Sequence, residues 1–143
     1  MCIRDSYGHS AKVRYLADTY TGNGELLMTN PKGASFERLV ADWLSYVFDD
    51  DAIDRQIKTG KKDKGDIRGV KVHGKRIAIE CKNTTRANLS GWVNEAEVER
   101  GNLDALAGVV VHKRVGKGKA KIGETYVTMT LADFAALLLG TRP

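Results

Sequence analysis

Apolar residues recur at three- and four-residue steps at Phe36, Leu39, Val40, Trp43, Leu44 and Val47. One apolar stripe of that spacing predicts an amphipathic helix ending near Val47, with Ser35 as its N-cap. Beyond the acid run Asp49-Asp50-Asp51 the period changes. Residues 53–57 read as a first strand, and 59–65 as a polar, basic loop. Residues 66–72 and 75–82 then read as a hairpin about His73-Gly74. Alternation in 75–82 places Ile77, Ile79 and Cys81 on one face, and Ala78, Glu80 and Lys82 on the other. A second helix is predicted from a Ser90 cap to Leu106, weakened at Gly101, with Trp92, Val93, Ala96, Leu103 and Leu106 on its buried side. Residues 108–112 form an apolar strand covered on both faces. A Gly/Lys loop at 114–123 leads to a strand at 125–129. Thr130 then caps a last helix, with Asp133 as capping-box partner. The order helix, three strands, helix, two strands, helix predicts an α/β fold with a central mixed sheet flanked by helices.

Residues 1–32 are irregular in pattern, with turn signals at 21–24 and 30–33 and a short edge strand at 13–16. The compact domain is expected over 33–143. A chain of 143 residues fits one domain with its own core. No run of eighteen apolar residues occurs, so no membrane span is expected. The first ten residues lack the apolar core of a signal peptide. Cys2 and Cys81 make no disulfide pattern, which fits a reducing, cytoplasmic setting.

The formal charge is +5, but its distribution says more. Residues 55–86 carry eleven Lys/Arg against Asp63, Asp66 and Glu80. Residues 112–122 add Lys113, Arg114, Lys117, Lys119 and Lys121 with no acid. Clustered cations gain from counterion release on a phosphate backbone, so a polyanionic partner is implied. Within this field lie two carboxylates, Asp66 and Glu80, on neighbouring predicted strands, and Lys82 two positions beyond the second.

Phosphodiester hydrolysis requires neutralisation of phosphate charge and an aimed nucleophile, and carboxylate-bound Mg²⁺, with Mn²⁺ as substitute, supplies both. Asp66 and Glu80 are the candidate ligands, with the backbone carbonyl of Cys81 as a further one. Lys82 is placed to orient the attacking water or stabilise developing charge. Glu37, in the first helical turn, is either a third ligand or an ordinary carboxylate favoured by the helix dipole. Lys58, Lys61, Lys62, Lys64, Arg86, Lys113, Arg114, Lys117 and Lys119 are the candidate DNA-backbone contacts. Glu95, Glu99 and Asn102 share a helical face, read as solvated unless one of them joins the site. Asp63 is a spare loop acid. His73 and His112 lack zinc-set spacing. Gly116-Lys117-Gly118 is no Walker loop, so no nucleotide cofactor is expected. Trp43 and Trp92 read as core anchors.

The order Gly33-Ala34-Ser35-Phe36-Glu37-Arg38, Gly65-Asp66-Ile67, Ile79-Glu80-Cys81-Lys82 resembles the PD-(D/E)XK nuclease superfamily, most of all its Holliday junction resolvase-like branch of phage and prophage type. The resemblance covers roughly residues 33–140 and implies a restriction-endonuclease-like core. In it Glu37, Asp66, Glu80 and Lys82 take the catalytic positions. It further implies Mg²⁺-dependent cleavage of four-way DNA junctions by a homodimer whose two centres nick opposed strands. For a phage-encoded chain the setting is the bacterial host cytoplasm. Gly65 stands where the superfamily name has proline. The alternatives are a restriction-like, repair or phage DNA-processing endonuclease, or a catalytically silent nucleic-acid-binding module on the same fold.

Overall fold

The computed structural model describes residues 35–143, and the irregular segment expected at 1–32, with its edge strand at 13–16, lies outside the described residues. The first helix, α1 (Phe36–Val47), begins where its cap requires. The Ser35 side chain accepts a hydrogen bond from the Arg38 N–H at 3.2 Å, which satisfies one of the first-turn donors. Phe36, Leu39 and Val40 are buried as the stripe predicts, whereas Val47, on the last turn, is exposed.

Strands β1 (Asp54–Arg55), β2 (Ile67–Arg68), β3 (Lys71–Val72) and β4 (Lys75–Lys82) follow, so four strands precede the second helix where three were expected. The additional strand comes from a break in the segment 66–72. Gly69 has φ +88°, and a Cβ there would lie 2.6 Å from the Ala52 carbonyl oxygen. The chain therefore bends between β2 and β3 because another backbone passes through that space. β1 is shorter than the expected 53–57: Ile53 is buried ahead of it and Ile57 is exposed after it. The hairpin joining β3 to β4 turns at His73-Gly74 as predicted, with φ +53° and +72°. Positive φ at both positions is the type I′ pattern whose twist suits a two-residue connection. The turn is tied to the far end of the chain: His73 Nε2 lies 3.0 Å from the Leu137 carbonyl, and Lys75 Nζ donates to the Gly140 carbonyl at 2.8 Å.

Helix α2 (Leu89–Leu103) is capped by Asn88, whose side chain accepts from the Gly91 N–H, not by Ser90. It stops before Leu106 because Asp104 adopts the left-handed conformation. Leu106 instead donates its N–H to the Arg76 carbonyl at 2.8 Å, extending the contact with β4. Strand β5 (Ala107–His112) runs parallel to β4, and β6 (Tyr126–Thr128) is antiparallel to β5 after a 3₁₀ segment, Lys119–Glu124. The sheet order is β1-β2-β4-β5-β6, with β3 also paired to β4. Helix α3 (Leu131–Leu139) closes the fold. Thr130 caps it by accepting from the Asp133 N–H, but the Asp133 carboxylate does not complete a capping box. It is fully buried and binds Arg142 and the Gly108 N–H.

Alternation sorts the sheet into two faces. Ile77, Ile79, Cys81, Val109 and Val111 join Phe36, Leu39 and Val40 in the larger core, with Ala136 of α3. Val110 faces Trp92 and Ala96 of α2. The mixed sheet is thus open and flanked by three helices. Among the described residues no helix is long and apolar enough to cross a membrane.

Helix α2 reaches the sheet closely because β5 has no side chain at Gly108. A Cβ there would lie 2.5 Å from the Ala96 carbonyl oxygen, whereas one at Gly101 meets nothing within 4 Å. Gly108→Ala is expected to destabilise the fold by about 1–3 kcal/mol through overpacking. Gly101→Ala is expected to stabilise it by about 0.5–1 kcal/mol, the helical advantage of alanine. Urea unfolding of both variants checks the pair.

Candidate active site

Two backbone hydrogen bonds fix Asp66 before its side chain is considered. Its N–H donates to the Ile79 carbonyl and its carbonyl accepts from the Gln56 N–H, each at 2.7 Å. The β2–β4 ladder pairs Ile67 with Ile79. One step further along β4, the Cys81 N–H turns to the side chain instead and donates to Asp66 Oδ2 at 2.8 Å. The carboxylate therefore replaces the next rung of the ladder, at the carboxyl end of β4. By the same alternation the Cys81 carbonyl points to this β2-facing edge.

Glu80 and Lys82 lie on the opposite face of β4 from Cys81, towards α2. Lys82 Nζ is 3.0 Å from Glu80 Oε1 and also donates to Glu95 Oε2 of α2. Burial works against its ammonium, but the hydrogen bonds to Glu95 and Glu80 outweigh it and hold the pKa above the ordinary lysine range. Asp66 and Glu80 are each only 9% exposed. Burial is the main cause that pushes the Asp66 carboxyl up to about 6, and the charges of Glu80 and Glu37 add to it against the Cys81 hydrogen bond. The Cys81 thiol is also raised, first by burial and then by the same acids, so it is no nucleophile.

Glu99, one turn beyond Glu95, is the residue that sequence reasoning undervalued. It is 2% exposed, its carboxyl lies against that of Glu80, and its Oε2 has no hydrogen-bond partner. Burial first, then Glu80, then the charges of Asp63 and Asp66 push it up to about 9. A contact between two carboxyls needs a proton on one of them, and Glu99 is the group that holds it. The available signal was the common face of Glu95, Glu99 and Asn102 opposite Ala78, Glu80 and Lys82. Asn102 also contributes, donating to the Asp63 carbonyl at 2.8 Å.

Glu37 stands apart from this group. Its side chain is 36% exposed and pairs with Arg55 at 3.2 Å, so it acts on Asp66 through charge alone. Gly65 earns its place sterically: at φ +90° a Cβ would lie 2.9 Å from the Ile79 carbonyl and 3.4 Å from Glu99 Oε2. Proline, fixed near φ −65°, cannot take this conformation. Among the described residues no group of three or more His, Cys, Asp or Glu side chains is arranged to hold a metal ion. The oxygen donors brought together are those a hard cation uses, two carboxylates and a backbone edge.

The cationic residues form two sets. Lys58, Lys61, Lys62 and Arg86 are exposed, with Lys64 half-buried, and all of them flank the segments carrying Asp66 and Lys82. Lys113, Arg114 and Lys117 line a cleft of about 500 Å³ with Phe36, Leu39, Thr84 and Thr85. Arg114 is not a free-ranging groove contact: it donates to the Glu124 carbonyl at 3.0 Å and lies 4.4 Å from the Tyr126 ring centre. Lys117 pairs with Glu124 at 3.0 Å. The side chain of Lys119 lies outside what the structure describes.

Glu99 gives the stability a defined pH dependence. Its folded pKa, about 9, lies above the ordinary 4.5. The protonated form is therefore favoured by folding, and its contribution is complete below pH 4.5 and lost as pH rises towards 9. Glu99→Gln keeps the shape and removes the titration. In the presence of a chelator it is expected to be more stable than the parent above neutral pH by at least about 1 kcal/mol, the worth of one pKa unit. Thermal unfolding across pH 5–9 measures this, and an unchanged pH profile contradicts it.

Compared with protein-family models, with curated proteins and with solved structures, the chain matches none.

Proposed function

We propose that this protein is a divalent-metal-dependent DNA endonuclease, structure-specific and directed most of all to four-way junctions. One observation carries the reading: two buried carboxylates, Asp66 just ahead of β2 and Glu80 on β4, meet beside the ammonium of Lys82 at the carboxyl end of β4. Like charges are costly to bury together, so such a pair is justified where a cation compensates them. The surrounding lysines support a polyanionic substrate.

Asp66, Glu80 and the Cys81 carbonyl are the residues that would hold Mg²⁺, or Mn²⁺ in its place. When bound, the ion supplies charge neutralisation at the transferring phosphoryl group. The protein's own residues do the rest. The Cys81 N–H aims Asp66 by its bond to Oδ2. Lys82 offers a fixed ammonium to the attacking water and to the charge that develops on phosphate. Glu95 anchors that ammonium from α2, so its position does not depend on Glu80 alone. Exposed Lys58, Lys61, Lys62 and Arg86 hold the DNA backbone and set register without reading bases. A homodimer presenting two such centres would account for paired cuts across a junction.

A second reading is a nucleic-acid-binding module without catalysis. Its support is the absence, among the described residues, of a preformed three-side-chain metal group. The two separate cleanly. With Mg²⁺, purified protein is expected to nick a four-way junction symmetrically. Asp66→Asn, Glu80→Gln and Lys82→Ala are each expected to lower the rate by roughly 10²–10³. DNA affinity, followed by fluorescence anisotropy, should stay close to that of the parent. Binding without cleavage in the parent itself supports the module, and preferential cutting of plain duplex removes the junction assignment.

A further inference from the structure

We propose that the cleft beside the candidate site receives one unstacked nucleotide of the DNA strand, next to the scissile phosphate. The inference rests on the endonuclease reading and adds a substrate feature to it, a locally unpaired nucleotide at the cutting point. The cleft of about 500 Å³ adjoins the site along one side, at the carboxyl ends of β4 and β5. Asn83, in its lining, immediately follows Lys82. Lys113 is joined to the same point, its N–H donating to the Lys82 carbonyl at 3.0 Å. The cleft thus meets the carboxyl end of β4, so a strand whose phosphate lies there can place a neighbouring nucleotide in it.

The lining matches that occupant. Phe36, Leu39 and Ile122 are buried core residues that supply an apolar floor. The hydroxyls of Thr84 and Thr85 and the cations of Lys113 and Arg114 form its rim. Arg114 is held in place by the Glu124 carbonyl and the Tyr126 ring. An apolar floor with a few polar groups, in the roughly 300–1,000 Å³ range, is the form of a pocket for a small planar ligand. The cations add the affinity for phosphate that an apolar ligand would not need. In a continuous duplex the base faces are covered by their neighbours and cannot meet such a floor. Extruding a base costs a few kcal/mol, least where it is already unpaired. The cleft thus favours branch points, flaps and single strands by an energetic route that needs no base-specific contact.

The test uses the whole protein in EDTA, so that binding is read without cleavage. The probes are a 2-aminopurine-labelled single strand, a flapped duplex, a four-way junction and a blunt duplex. The single strand and flap are expected to bind about tenfold more tightly than duplex, the scale of one base-stacking contact. 2-Aminopurine emission should change in a position-dependent manner. Thr85→Phe, which fills the cleft from an exposed position, is expected to remove that preference. Val115→Trp, at a second exposed lining position, is the parallel variant. Equal parental affinity for all four probes overturns the proposal, as does a preference that survives both folded variants. Occupancy by deoxynucleoside monophosphate with no strand preference also overturns it, in favour of a free nucleotide ligand. Strand preference without Mg²⁺-dependent cleavage leaves the cleft assignment standing and removes the nuclease reading. Cleavage without strand preference does the reverse.

Discussion

The hydrogen bond from the Cys81 N–H to Asp66 Oδ2 decides the character of this fold's business end. Where the β2–β4 ladder stops, a sheet ordinarily leaves its next donor to water or to a turn. Here a side chain takes the rung, and an acid is drawn into the interior as a consequence. Everything near it adjusts to that charge. Glu80 stands on the preceding residue of β4, Lys82 folds back on Glu80, and α2 supplies Glu95 to the outer side of the ammonium.

The resulting electrostatics are uneven by construction. Lys82 has two carboxylates, whereas Glu99 has no donor for its Oε2 and survives burial by holding a proton. Burial of an acid beside other acids is a standing expense in stability, and proteins retain such arrangements mainly where function asks for them. Lys58, Lys61, Lys62 and Arg86 lie outside this centre, on exposed loops, where water screens their mutual repulsion and a phosphate chain can reach them. On the proposed reading, a negative interior in a positive surround suits a polyanion at long range and a small cation at short range.

Much of the architecture was legible because it followed from local pattern. The stripe from Phe36, the cap at Ser35, the His73-Gly74 turn and the alternation of Ile77, Ile79 and Cys81 depend on neighbours in sequence. The joining of Asp66 to β4 was also legible, since alternation and the hairpin place both acids near one strand end. What escaped depends on distant chain. The break at Gly69 exists because the Ala52 carbonyl occupies the space: the glycine marks a possible bend, but which backbone fills that space depends on distant chain. Asp133 was legible as a first-turn acid but not as a fully buried one, because its partners are Gly108 and Arg142. Glu99 was legible as part of a helix face shared with Glu95 and Asn102, but not as a buried group. Its burial comes from the close approach of α2 that Gly108 allows. Glu37 was legible as a helix-start acid, but its pairing with Arg55 required knowledge of where β1 would lie.

The clasp between the β3–β4 turn and the end of α3 has a bearing on how the chain reaches this state. His73 and Leu137 are 64 positions apart, and Lys75 and Gly140 are 65 apart. The tight hairpin closes a very short loop and can form early, whereas the clasp must wait for a long loop to close, at an entropic cost that grows with its length. Loop length thus favours the β3–β4 turn over the clasp, which closes only when the last helix docks, while the Glu80–Lys82 end of β4 depends on its parallel pairing with β5.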